Sequence, residues 1–125
     1  PPEQALHAIL YALLDEVGTN KNLPAIFFYE GIQNKGKFYG RIAIASLYNP
    51  VVEVLKRGME SGIFRSTMDP LHTAVNIIGA CVFYYCSFEN VKHLWPAGTD
   101  LLSEDIVSEH KRQVVEFAVN GVTKH

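Results

Sequence analysis

The run from Pro70 to Phe88, PLHTAVNIIGACVFYYCSF, contains no Asp, Glu, Lys or Arg, and this constrains the fold more than any other feature. Asp69 followed by Pro70 reads as a helix start, because the carboxylate accepts from orphan backbone donors and proline has no donor to lose. A helix begun there has no charged face and must be covered on both sides. In a chain of 125 residues one small domain rarely has the mass to do this. A second subunit does, so the run predicts a homodimer. Lipid is the other possible cover, and the run is near the lower length limit for a span. His72, Thr73, Asn76 and Gly79 interrupt it and basic flanks are missing, which speaks against a membrane.

The rest of the chain reads as helices around this one. The first runs from about Glu3 to Val17, with Leu6, Ile9, Leu10, Leu13, Leu14 and Val17 forming an apolar stripe. The second spans about Leu23 to Gln33 and is apolar on most sides, so it too is expected to be sandwiched. The third begins near Lys37 and reaches Ser61, with a kink or break near Tyr48–Asn49 because Pro50 removes a backbone bond. Val51, Val54, Leu55 and Met59 mark its buried side. Gly62 sits where a left-handed cap belongs, and Ile63 and Phe64 follow as a hydrophobic tuck. The fourth helix is Pro70 to Phe88, and a polar connector, Glu89 to Leu102, holds a possible short turn. Ser103 caps the fifth helix, with Glu104 and Asp105 placed favourably against its dipole. The expectation is all-α: an antiparallel bundle of five main helices in one domain, residues 1–125.

At about 100° per residue the fourth helix divides into two sides. His72, Val75, Gly79, Val82, Phe83 and Cys86 collect on one, and Ala74, Ile77, Cys81, Tyr84 and Phe88 on the other. Gly79 in mid-helix costs up to about 1 kcal/mol against alanine, and close approach of a neighbouring helix is a reason to carry it. The Gly79 side is assigned to the partner subunit and the Tyr84 side to the domain's own core; the reverse assignment stays open. On the fifth helix His110, Val114, Phe117 and Gly121 share the interface face. Pairing the last two long helices with their mates makes a four-helix bundle about a two-fold axis.

The pattern of a helix, then G-x-x-x-G-x-[FL]-R, a few polar residues, D-P and a long apolar helix resembles the C-terminal regulatory domain of TetR-type transcriptional regulators. Gly58, Gly62, Phe64, Arg65, Asp69 and Pro70 carry it here, with Leu94-Trp95-Pro96-Ala97-Gly98 and the closing SEDIVSEHKRQVVEFAVNGV. The resemblance implies an all-helical domain for effector binding and dimerisation, the sensing part of a repressor in the cytoplasm. Such regulators begin with a helix-turn-helix whose second helix enters the major groove. This chain opens on an amphipathic core helix instead, so it is read as the regulatory domain alone, with the helix-turn-helix absent. DNA is then a partner of the parent protein only. A net charge of −2 without a basic stripe agrees with this.

Enzyme signatures are missing: there is no nucleophile elbow, phosphate loop, zinc-protease motif or metal-spaced Cys/His set, so no enzyme, metal or cofactor is expected. Asp15-Glu16 and Glu104-Asp105 are adjacent pairs that do not converge on one point. Cys81 and Cys86 lie on different helix faces and read as reduced thiols in a cytoplasmic protein. Binding is the better-supported chemistry. The candidate pocket set is Leu10, Tyr11, Leu14, Phe28, Ile32, Tyr48, Val52, Leu55, Asn76, Ile77 and Tyr84, which suits an aromatic or hydrophobic small molecule. No Lys or Arg interrupts an apolar stripe, which argues against a strongly anionic effector. The resemblance further implies that the effector shifts the third helix against the first, with Pro50 as hinge. The alternative is a stand-alone helical bundle for a lipid or haem, in which His7 or His72 serves as axial ligand.

Overall fold

The computed structural model describes residues 1–20 and 22–125, and the side chains of all of these except 41–43. Among the described residues the chain is all-helical. The helices are α1 (Pro2–Thr19), α2 (Asn22–Asn34), α3 (Arg41–Glu60), α4 (Pro70–Val91) and α5 (Glu104–Val122), with a 3₁₀ turn at Lys92–Leu94. The Asp69 carboxylate accepts from the His72 backbone N–H at 2.7 Å, as an N-cap should. Ser103 occupies the N-cap of α5, but its hydroxyl makes no capping bond.

α4 is the central helix, touching α1, α2, α3 and α5. From α1 the row Leu6, Leu10 and Leu14 is fully enclosed, each at 0% exposure. Val51, Val54 and Leu55 of α3, Ile78 and Cys81 of α4, and Val115, Val119 and Val122 of α5 close around that row. The stretch Pro70–Leu94 is long and apolar enough to cross a membrane, with mean hydropathy 1.3. Its inner side is instead packed against the four other helices. Cover on both sides is not achieved within one copy: Leu71, Val75 and Phe83 on α4 and Phe117 on α5 are exposed.

The connector from α3 to α4 is held tightly. Gly62 adopts φ +78°, the left-handed cap. The Gly58 carbonyl then accepts from the N–H groups of both Ile63 and Phe64, at 3.0 and 2.9 Å. Phe64 is buried, while Ile63 stays partly exposed, so only one of the two residues tucks in. A Cβ on Gly58 would stand 2.0 Å from the Phe64 ring, which is why glycine is required there. The same connector clamps the end of α5. The Arg65 N–H bonds to the Val122 carbonyl at 2.8 Å, and the Lys124 N–H to the Ile63 carbonyl at 2.9 Å. Arg65 Nε adds a bond to the Gly121 carbonyl at 2.9 Å.

Three expectations are corrected. α3 starts at Arg41 rather than Lys37, because Lys35 and Gly36 take positive φ and the Glu30 carboxylate pins the turn through the Phe38 N–H and the Asn34 amide. α3 also runs through Pro50 without a break, the second of the two outcomes expected there. The four residues Val51, Val52, Val54 and Leu55 are buried just beyond it, and their packing holds the helix together across the proline. α2, finally, is not sandwiched: of its apolar residues only Pro24 is buried, and Ile26, Tyr29 and Ile32 face outward.

Candidate ligand-binding site

An apolar cavity of about 250 Å³ opens where the first four helices meet. α1 contributes Leu13, Glu16 and Val17, and α2 contributes Leu23, Pro24 and Phe27. Tyr39 from the α2–α3 turn, Leu47 of α3 and Val82 of α4 complete the wall. Phe27 and Tyr39 form a tilted ring pair, centroids 5.1 Å apart and planes at 56°. Among the described residues Glu16 is the only formally charged side chain on the wall. A larger hollow of about 710 Å³ lies along the connector after α4, among Glu89, Lys92, His93 and Asp100. Phe88, Trp95, Pro96, Ala97 and Leu101 also line it, so its surface is mixed, whereas that of the α1–α4 cavity is nearly all carbon.

None of the eleven residues expected to bind ligand lines the α1–α4 cavity. Leu10, Leu14, Val52, Leu55 and Ile77 belong to the solid core. Phe28 and Ile32 face away from the bundle, at 40% and 75% exposure. Tyr11 lines a groove between α1 and α5 beside Arg112, with its ring 6.5 Å from His7. Tyr48 is half-buried against the core, where burial raises its hydroxyl pKa. Asn76 sits in a shallow groove on the outer face of α4 and α5 with Arg65 and Phe117. Tyr84 points toward α5, donating to the Leu101 carbonyl at 2.5 Å and stacking on His110 at 3.9 Å.

The expected interface set divides. His72, Val75, Gly79 and Phe83 of α4, with Phe117 and Gly121 of α5, lie on one outer surface, and Cys86 is half-buried. Three members turn inward. Val82 is part of the cavity wall, and Val114 is buried in the core. His110 lies between α4 and α5, stacked on Tyr84 and edge-on to Tyr85 at 5.9 Å. Its Nε2 and the Tyr85 hydroxyl are buried without hydrogen-bond partners among the described residues. Burial, and then the Lys111 charge, lower the His110 pKa, which keeps the ring neutral. A Cβ added at Gly79 or Gly121 would meet nothing within 4 Å, so contacts inside one copy do not require glycine at either place.

Among the described residues no group of His, Cys, Asp and Glu is arranged to hold a metal ion. Cys81 is buried and its thiol is pushed up to about 12 by desolvation, far from a reactive thiolate. Lys111 pairs with Asp15 at 2.6 Å, tying α5 to α1. Arg112 pairs with Glu109 and Glu116 on the exposed side of α5, and its hydrogen bond, joined by one from Gln113, holds Glu109 at about 2.

No curated protein and no solved structure matches the chain. The family model for the tetracyclin repressor-like C-terminal domain matches residues 2–118. That match takes in every wall residue of the cavity, the connector at Gly58–Arg65 and the outer face of α4. The chain therefore belongs to the tetracyclin repressor-like C-terminal domain family, whose members are the effector-binding and dimerisation parts of transcription regulators.

Proposed function

We propose that this domain senses a small hydrophobic or aromatic effector in the α1–α4 cavity, and that occupancy alters the DNA affinity of its parent regulator. The observation that carries the reading is the cavity itself, walled by side chains of four helices and nearly all carbon at its surface. A ligand there touches α1, α2, α3 and α4 together, so it can bias their relative positions. It acts only by preferring one arrangement over another, and couplings of this kind run about 1–3 kcal/mol. DNA is contacted through a helix-turn-helix N-terminal to this domain. The protein acts in the cytoplasm, where two free cysteines are at home. It performs no catalysis.

Two copies pair through the outer surface of α4 and α5. Val75, Gly79 and Phe83 meet Phe117 and Gly121 of the other copy across a two-fold axis, which covers the side of α4 that one copy leaves open. A haem-binding bundle has less support, because among the described residues no histidine stands on the cavity wall.

Titration with 1-naphthol followed by methyl NMR tests the sensing role. Shifts are expected at Leu13, Val17, Leu23, Leu47 and Val82, with Leu6 and Leu10 unmoved. An unchanged spectrum at the five wall residues, or equal shifts throughout the core, would overturn the proposed site. Sedimentation equilibrium tests the pairing: a two-copy mass at micromolar concentration is expected, and a monomer contradicts it.

A further inference from the structure

We infer that the α1–α4 cavity selects a small hydrophobic cation, an aromatic or alicyclic body carrying a protonated or quaternary nitrogen. This rests on the cavity being the effector site. Three observations, each about charge, point the same way.

Among the described residues Glu16 is the only formal charge on the wall, and no Lys, Arg or His lines it. Its neighbour Asp15 is neutralised by Lys111 at 2.6 Å, whereas Glu16 has no ion-pair or hydrogen-bond partner for its carboxylate among the described residues. The two adjacent acids thus have different surroundings, and the one at the cavity is unpaired. Second, Glu16 stands in the last turn of α1, where no basic residue is present. The backbone carbonyls at a helix C-terminus carry partial negative charge, so a carboxylate there is placed against the dipole. Both contributions make the rim negative, and a cation relieves both. Third, Phe27 and Tyr39 form a tilted ring pair that is part of the same wall. A cation within about 6 Å of a ring face is attracted by its quadrupole.

Size narrows the class. A cavity of about 150 Å³ holds benzene, so by proportion about 250 Å³ accommodates roughly ten non-hydrogen atoms. A neutral ligand of that size leaves the Glu16 charge unpaired, and an anion adds repulsion.

The test uses the full chain and three near-isosteres of fitting size: 2-phenylethylammonium, 2-phenylethanol and phenylacetate, titrated calorimetrically at pH 7. The ammonium is expected to bind at least tenfold more tightly than the alcohol, and the carboxylate most weakly. Glu16→Gln, an exposed change that leaves the core intact, is expected to bring ammonium and alcohol within about twofold of each other. Equal affinities of the two in the unaltered chain overturn the charge selectivity while leaving the cavity as the effector site. A preference for the ammonium that survives Glu16→Gln overturns the role of Glu16. Binding of none of the three overturns this inference together with the site on which it rests.

Discussion

The α3–α4 connector and α2 are both rich in apolar side chains, but they use them differently. At the connector Phe64 is 1% exposed, its ring lies against Gly58, and backbone bonds join residues 63–65 to the end of α5. In α2 and the turn after it Ile32 and Phe38 are 75% and 78% exposed, and Phe27 meets Tyr39 beside a cavity rather than a filled core. The difference separates two jobs. The connector closes the domain onto its own C-terminus and fixes the α3–α4–α5 frame. α2 borders the cavity with few buried groups, so it can shift when the cavity fills without disturbing that frame. Regions with little buried apolar surface are the ones that open locally. Amide exchange of α2 is accordingly expected to be faster than that of α3 beyond Pro50.

The largest expected effect comes from breaking the frame. Leu10 is fully enclosed at the centre of the α1 row, so Leu10→Ala removes packed atoms and leaves a void, at a cost of about 3 kcal/mol. Ile32→Ala on α2 is expected to stay within about 0.5 kcal/mol, since it removes an exposed side chain. Urea denaturation of both variants measures the contrast. Comparable losses would mean that α2 belongs to the same cooperative core, and the division would fail.

Gly58→Ala attacks the connector itself. The new methyl would lie 2.0 Å from Phe64 Cδ2, so the ring must leave its site, and overpacking of this kind costs about 2 kcal/mol. Phe64→Ala is destabilising by itself, but combining the two is expected to cost less than their sum, because the second change removes the clash. An additive double-mutant cycle would show that the glycine serves something other than the ring.

How far the sequence discloses this arrangement depends on whether a signal is local. The five helices follow from periodicity, and the Asp69 cap and the left-handed Gly62 follow from residue chemistry at single positions. The cavity does not. On α1 the stripe holds both Leu10 and Leu14, which go to the core, and Leu13 and Val17, which go to the cavity. Periodicity tells which side of a helix is buried, not which neighbour each part of that side meets. Phe27 and Phe28 differ by one position, yet the first reaches Tyr39 and the second points outward. Tyr39 itself lies in a turn set by the Glu30 carboxylate, which the apolar pattern does not register. His110 reads as an interface residue on the α5 wheel, but Tyr84 and Tyr85 draw its ring inward.

That histidine gives the frame a pH dependence. Burial lowers the His110 pKa below the ordinary 6.5. As pH falls through 6.5 the unfolded chain takes up a proton that the folded chain does not, so stability present above 6.5 declines until the lower folded pKa is reached. His110→Phe keeps a ring against Tyr84 and removes the titration. Its stability from pH 7 to 5, measured by urea denaturation, is expected to vary less with pH than that of the unaltered chain. Equal slopes would show that His110 is not held neutral by its surroundings.

Gly79→Ala should change folding stability least, and it is the change that separates the frame from the proposed contact between copies. Gly58 and Gly79 are both helical glycines, but only Gly58 has a side chain of its own copy against it; the space at Gly79 is open to 4 Å. Within one copy the substitution should therefore be neutral, or stabilising by up to about 1 kcal/mol through helix propensity. Across a two-fold axis an added methyl holds the facing helices apart. The unfolding midpoint measured at concentrations where the chain is monomeric is expected to hold or rise, while the dimer dissociation constant from sedimentation rises at least tenfold. If both quantities improve together, alanine fits the interface as well as the helix, and close approach at Gly79 is not what joins the two copies.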